Sequence, residues 1–261
     1  MDIKIIVAAH KAYQMPQDDM YLPLHVGKEG KEDVGFIGDN SGDHISAKNP
    51  YFCELTGLYW AWKNLDAAYI GLAHYRRHFA SKGRIPKDEA KKFTAILSRA
   101  EAEAHLRTCD VVVPRLRKYY IENLYNHYKH TMYVETLDEA GRIIAERYPA
   151  YLPEFEALHK RTSAHMFNMF IMKKDVLDRY CTWLFDILFE LEKRIDPGKY
   201  EAFHARYPGR ISELLLDVWL RTNKVEYAEV PVMDMQHINK FKKGMSFLRA
   251  KFTGKKYGES F

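Results

Sequence analysis

With 261 residues, 47% of them hydrophobic, the chain can bury one sizeable core but not two of equal size. Cys53, Cys109 and Cys181 are odd in number and lack C-x-x-C spacing, which suggests neither a disulfide framework nor a thiolate zinc site and fits a reducing cytosol. The net charge of +5 is concentrated after residue 236, where seven Lys and Arg face Glu259 alone, and no recognised nucleic-acid-binding module accompanies this tail, so nucleic acid is not an expected partner.

Taken in chain order, Ile3 to Ala9 is a β-branched apolar run that reads as a buried parallel strand. No basic leader precedes it, and nowhere do about 18 apolar residues run uninterrupted, so the expected location is cytoplasmic without a membrane span. The loop 10–19 leaves the carboxyl end of this strand, where open α/β sheets collect ligands, and it places His10, Lys11 and Tyr13 there. A polar, Gly-containing stretch, 38–49, follows. Tyr51, Leu55, Leu58 and Trp62 then recur at helical spacing and predict a helix over 50–64. The apolar run 68–73 predicts a second buried strand, delivering His74-Tyr75-Arg76-Arg77-His78 beyond its end. Residues 87–108 read as helical, and 109–114 as a strand ended by Pro114. An aromatic, basic stretch spans 115–133. Helical pieces are expected at 140–148 and 153–159, a strand at 166–172, a long helix through Leu177, Tyr180, Leu184, Ile187, Leu188 and Leu191, and a last helix over 212–222. This alternation predicts one α/β domain over 1–236 with a mostly parallel central sheet flanked by helices. The segment 237–261, with Phe241, Met245, Phe247, Leu248 and Phe252 among its cations, reads as a basic amphipathic tail suited to an anionic membrane surface, or as a solvated terminus.

The chemistry is narrowed first by what is missing. The sequence contains no G-x-G-x-x-G fingerprint, no G-x-x-x-x-G-K-[ST] phosphate loop, no G-x-S-x-G elbow and no H-E-x-x-H pair. His74 with His78, and His127 with His130, have spacings that could present two imidazoles to a metal, but neither pair comes with a third ligand. Arg76 and Arg77 are placed to make bidentate contacts with phosphate oxygens, or structural ion pairs with acids such as Asp39 or Asp110. The run Asp39-Asn40-Ser41-Gly42-Asp43 is either a simple turn or a reader of ribose hydroxyls. Glu213 and Asp217, at the start of the last helix, serve either the helix dipole or a general-base role.

Several ordered stretches resemble one known family. They are Asn49-Pro50-Tyr51 with 54–64, Tyr69-Ile70-Gly71-Leu72-Ala73-His74-Tyr75-Arg76-Arg77, Asn168-Met169-Phe170-Ile171-Met172-Lys173-Lys174, 183–192, and 209–220. They are similar to bacterial capsular and exopolysaccharide biosynthesis glycosyltransferases, long catalogued as a domain of unknown function. The resemblance implies a GT-A-like, Rossmann-like domain and a UDP-sugar donor, with galactose or galactofuranose favoured. The acceptor it implies is a hydroxyl of a lipid-linked or growing capsular, O-antigen or exopolysaccharide chain. Beside His10, Lys11 and Tyr13, placed at the donor by their strand-end position, it implies donor contacts from Asp39, Asn40, His74, Tyr75, Arg76 and Arg77, acceptor contacts from His165 and Asn168, and an inverting base at Glu213 or else Asp217. GT-A enzymes commonly hold a divalent ion through Asp-x-Asp, which this sequence lacks. Arg76 and Arg77 stand in the comparable place, so no metal is expected. The competing readings are a non-catalytic carbohydrate-binding or assembly protein and a metal-dependent hydrolase built on the histidine pairs.

Overall fold

The computed structural model describes residues 1–83 and 85–236, and the basic stretch 237–261 lies outside them. Among the described residues there are eleven strands: β1 (Ile3–Ala9), β2 (Tyr21–His25), β3 (Ile37–Gly38), β4 (Tyr69–His74), β5 (Arg77–Phe79), β6 (Val111–Pro114), β7 (Arg117–Lys118), β8 (Ser163–Ala164), β9 (Phe170–Lys173), β10 (Tyr227–Val230) and β11 (Val232–Asp234). Nine of them form one sheet whose main path runs β10-β6-β9-β4-β1-β2-β3, with β5 and β11 attached beside β4. Along this path every pairing is parallel except those of β9, which runs antiparallel between β4 and β6. The expected mostly parallel α/β sheet is therefore present.

Period-two alternation in β1 sends Ile3, Ile5 and Val7 to one face of the sheet and Ile6 and Ala8 to the other, and both sets are buried. One face is covered by the longer helices and the other by β5, β11 and the segment 93–106. The helices are α1 (Asn49–Phe52), α2 (Leu55–Asn64), α3 (Glu89–Lys92), α4 (Arg99–Leu106), α5 (Leu124–Thr131), α6 (Val134–Arg147), α7 (Leu152–Glu156), α8 (Lys174–Arg194) and α9 (Tyr207–Thr222). In α9 nearly every residue from Tyr207 to Leu220 is buried, as for a helix enclosed on all sides. Its buried Glu213 and Asp217 therefore require polar partners.

Several expected elements are cut differently. The helix expected over 50–64 is broken at Cys53, which takes φ 53° between α1 and α2. The stretch 87–108 splits because Ile96 turns extended and bridges to Ala80, after which Ser98 and Glu101 form a capping box for α4. The last helix begins at Tyr207, with Pro208 in its first turn, and not at residue 212. Glu213 thus sits well inside the helix, and the dipole account of it is corrected. The strand expected over 166–172 starts only at Phe170, because Phe167 and Asn168 adopt left-handed φ values of 82° and 53°. Gly71 lets β9 approach β4: a Cβ there would lie 2.8 Å from the Phe170 carbonyl oxygen and 3.1 Å from Ile5 Cγ1.

Candidate active site

Because β9 is antiparallel, its amino-terminal end lies at the same edge as the carboxyl ends of β1, β2, β4 and β6. This edge, where the strand order of an open sheet gathers ligands, receives the loops after Ala9, His25, His74 and Pro114 together with residues 165–169.

Tyr75 organises the first half of the crevice. It is 3% exposed, and its backbone N–H donates to the Ala8 carbonyl, extending the pairing of β1 with β4. His10 and Tyr13 pack edge-on against its ring at centroid distances of 5.1 and 5.2 Å, and Lys11 Nζ and Arg76 Cζ lie 5.7 and 5.5 Å from its centroid. Residues from two strand ends are thereby brought into one cationic cluster. Burial lowers the His10 pKa, and Arg76, Lys11, Lys31 and Arg206 lower it further. Burial also pushes His74 down to about 3, helped by Arg76 and Arg77, so its Nδ1 accepts the Arg76 backbone N–H at 3.2 Å as a neutral imidazole. The two arginines differ. Arg77 donates Nε to Asp234 at 2.9 Å and lies 4.0 Å over the Phe167 ring, whereas Arg76 has no carboxylate partner among the described residues. The alternative pairings with Asp39 and Asp110 do not form: Asp39 accepts from Gly27, Lys28 and Ser46, and Asp110 lies 3.7 Å from Lys173.

The second half of the crevice carries Glu54 and Glu213 and lies between α1, α2 and the start of α9. Asn168, 2% exposed, donates Nδ2 to Glu54 Oε1 at 2.7 Å and to the Gly209 carbonyl at 3.1 Å. Its left-handed backbone is a conformation that Asn tolerates better than most residues, and such outliers gather at functional sites. Glu213, 6% exposed, faces Arg210 Nη1 at 3.3 Å. Burial raises the pKa of Glu54; the Asn168 hydrogen bond pulls it back, and the Glu213 charge raises it again. The Arg206 charge lowers the His10 pKa and opposes the rise that burial causes in the Cys53 thiol. The sequence pointed to Asn168 and Glu213 but missed Glu54, Arg206 and Arg210; their only signal was membership of the polar positions flanking α1 and α9.

Three residues expected to contact ligand are otherwise engaged. Asp217, 1% exposed, accepts the His165 backbone N–H at 3.0 Å and faces His165 Nδ1 at 2.5 Å, while His165 Nε2 reaches Glu229 at 2.9 Å. Burial alone would lower the His165 pKa, but Asp217 and then Glu229 outweigh it and raise the value. This buried pair ties α9 to the segment before β9 and to β10, so neither partner is free to handle an acceptor. Asp39 is fully buried, and its carboxylate is taken by two backbone N–H groups and Ser46, which organises the loop after β2. Asn40 is exposed beside that loop.

The histidine pairs do not present imidazoles to a common metal. His127 and His130 both face the Glu122 carboxylate, at 3.2 and 2.7 Å, and His74 and His78 lie on β4 and β5. Among the described residues no group of three or more His, Cys, Asp or Glu side chains is arranged to hold a metal ion. The set at the end of β4 is cationic and does not fit a divalent ion.

Two outcomes follow. Removing one member of a buried ion pair costs about 3–5 kcal/mol, so Asp217→Ala should lose about that much stability in urea unfolding, while Asp217→Asn, which still accepts the backbone N–H, should remain folded. Wild-type stability in the alanine variant would contradict a structural role. Burial holds His74 near 3 and His78 and His127 near 4 in the folded chain, below the ordinary value near 6.5. The unfolded chain then binds more protons between those values, and stability falls as pH drops through that window. His165 and Glu54, both raised, oppose this but are fewer. The urea midpoint should therefore be lower at pH 5 than at pH 7; an equal or higher midpoint at pH 5 would contradict the assignment.

The model of a family described as a domain of unknown function (DUF4422) matches residues 4–224. No curated protein matches. Among solved structures, the apo form of WbbM, described as a bifunctional glycosyltransferase, matches with a TM-score of 0.83 and 29% identity over 91% of this chain and 46% of that one. The chain thus spans about half the length of that protein. Since the family match runs from β1 through α9 and contains every residue from His10 to Asp217 that builds the crevice, the chain belongs to the DUF4422 family.

Proposed function

We propose that this chain is a glycosyltransferase that moves a hexose, galactose or galactofuranose, from a UDP-sugar to a hydroxyl of a lipid-linked or growing surface-polysaccharide acceptor. The observation that carries the reading is Arg76, without a carboxylate partner among the described residues, in a cluster with His10, Lys11 and Tyr13. Its support is threefold: the cationic strand-end position, the carboxylates beyond it, and the likeness to a solved glycosyltransferase.

In this reading Arg76, with Lys11 and the free edge of Arg77, receives the diphosphate. Tyr75 and His74 act beneath it as scaffold. Glu213 takes the proton of the acceptor hydroxyl, the oxygen attacks the anomeric carbon from the far side, and the bond to the diphosphate oxygen breaks. The products are an inverted glycoside, UDP and protonated Glu213. The negative charge that develops on the leaving diphosphate is met by fixed guanidinium and ammonium groups, so the step needs no divalent ion. A cytoplasmic site, on the side of the membrane where nucleotide sugars are made, goes with this reading.

Titration calorimetry of the chelator-treated full chain with UDP tests it. Hydrogen bonds to charged groups contribute about 1.5–3 kcal/mol, so Arg76→Ala should weaken UDP about ten- to a hundredfold. Arg77→Ala should cost less, since its Nε is held by Asp234. UDP binding that requires a divalent ion, or that ignores Arg76, would contradict the proposal.

A further inference from the structure

We infer that Glu54 and Asn168 together form the subsite that grips hydroxyls of the transferred hexose. The inference rests on the nucleotide-sugar reading above and deepens it.

The orientation of the Asn168 amide is fixed, because its neighbour Gly209 offers a carbonyl and only the Nδ2 end can donate to it. That same nitrogen also donates to Glu54 Oε1. The planar amide then leaves Oδ1 beside Nδ2, and this oxygen is buried without a hydrogen-bond donor among the described residues. A buried acceptor without a partner costs stability unless a ligand satisfies it. Its backbone carries a second cost, because a non-glycine residue is held at φ 53°. Cys53, immediately before Glu54, is also left-handed at φ 53°. Two irregular turns from separate parts of the chain thus converge to place one carboxyl and one amide side by side.

A donor for Asn168 Oδ1 beside the Glu54 carboxyl describes a pair of neighbouring hydroxyls, such as a hexose ring presents. The position agrees. Asn168 directly follows Phe167, whose ring lies 4.0 Å from the Arg77 guanidinium, so the pair adjoins the arginines at the end of β4. Asn168 also donates to the Gly209 carbonyl, one turn before Glu213 on α9, and the Glu213 charge acts on Glu54. Burial favours the protonated form of Glu54, which can donate as well as accept.

The test compares UDP with UDP-glucose, UDP-galactose and UDP-galactofuranose by calorimetry on the full chain, using wild type, Glu54→Ala and Asn168→Gly. Glycine accepts φ 53° without strain, so the second variant removes the amide while keeping the turn. Wild type is expected to bind one UDP-hexose more tightly than UDP. Both variants are expected to keep UDP affinity within about twofold and to lose the hexose preference about tenfold or more, the size of one or two charged hydrogen bonds. An unchanged hexose preference in both variants would overturn the subsite. Equal losses for UDP and UDP-hexose in variants that melt like wild type would also overturn it, since the residues would then serve the nucleotide. Failure of wild type to bind UDP at all would overturn the nucleotide-sugar reading and this subsite with it.

Discussion

The arrangement of the crevice depends on one strand running the wrong way. In a purely parallel sheet, every segment that enters a strand would do so at the edge opposite the ligand. By inserting antiparallel between β4 and β6, β9 brings residues 165–169 to the edge where the parallel strands end. The close approach needs Gly71, whose position leaves no room for a side chain against Phe170. The left-handed pair Phe167 and Asn168 then turns the chain into β9 and aims two different chemistries. Phe167 supports the guanidinium of Arg77, and Asn168 holds Glu54. A sharp turn here is thus shared by both halves of the site.

The buried helix α9 makes the same economy of position. It is apolar nearly throughout, so its two carboxylates could not be tolerated without partners. Asp217, one turn after Glu213, is neutralised by His165 and fixes the helix to the strand-entry segment. Glu213 faces Arg210 at the longer distance of 3.3 Å. Four residues of separation thus give the two acids different surroundings.

Much of this was legible in the sequence. The β-branched run of β1, the apolar run of β4 and the arginines after it specified the edge and its charge, because strand ends and residue type are local properties. The glycosyltransferase-like motifs carried the fold class. What was not legible was whatever depended on a partner far along the chain. The commitment of Asp217 to His165 spans 52 positions and that of Arg77 to Asp234 spans 157, and no spacing reports such contacts. β2 was missed because Pro23 interrupts its apolar pattern, which a strand near the sheet edge tolerates. Glu54 was hidden in a stretch that reads as helix, since the break at Cys53 leaves no Gly or Pro to mark it.

The central claim is that a diphosphate sits on Arg76 at the end of β4, with the transferred sugar toward Glu54, Asn168 and Glu213. A crystal structure of the chain with UDP tests it most directly. The account predicts phosphate oxygens within hydrogen-bonding distance of the Arg76 guanidinium and the nucleoside lying along His10 and Tyr13. UDP bound at another edge of the sheet, or at this edge through a divalent ion with Arg76 turned away, would contradict it.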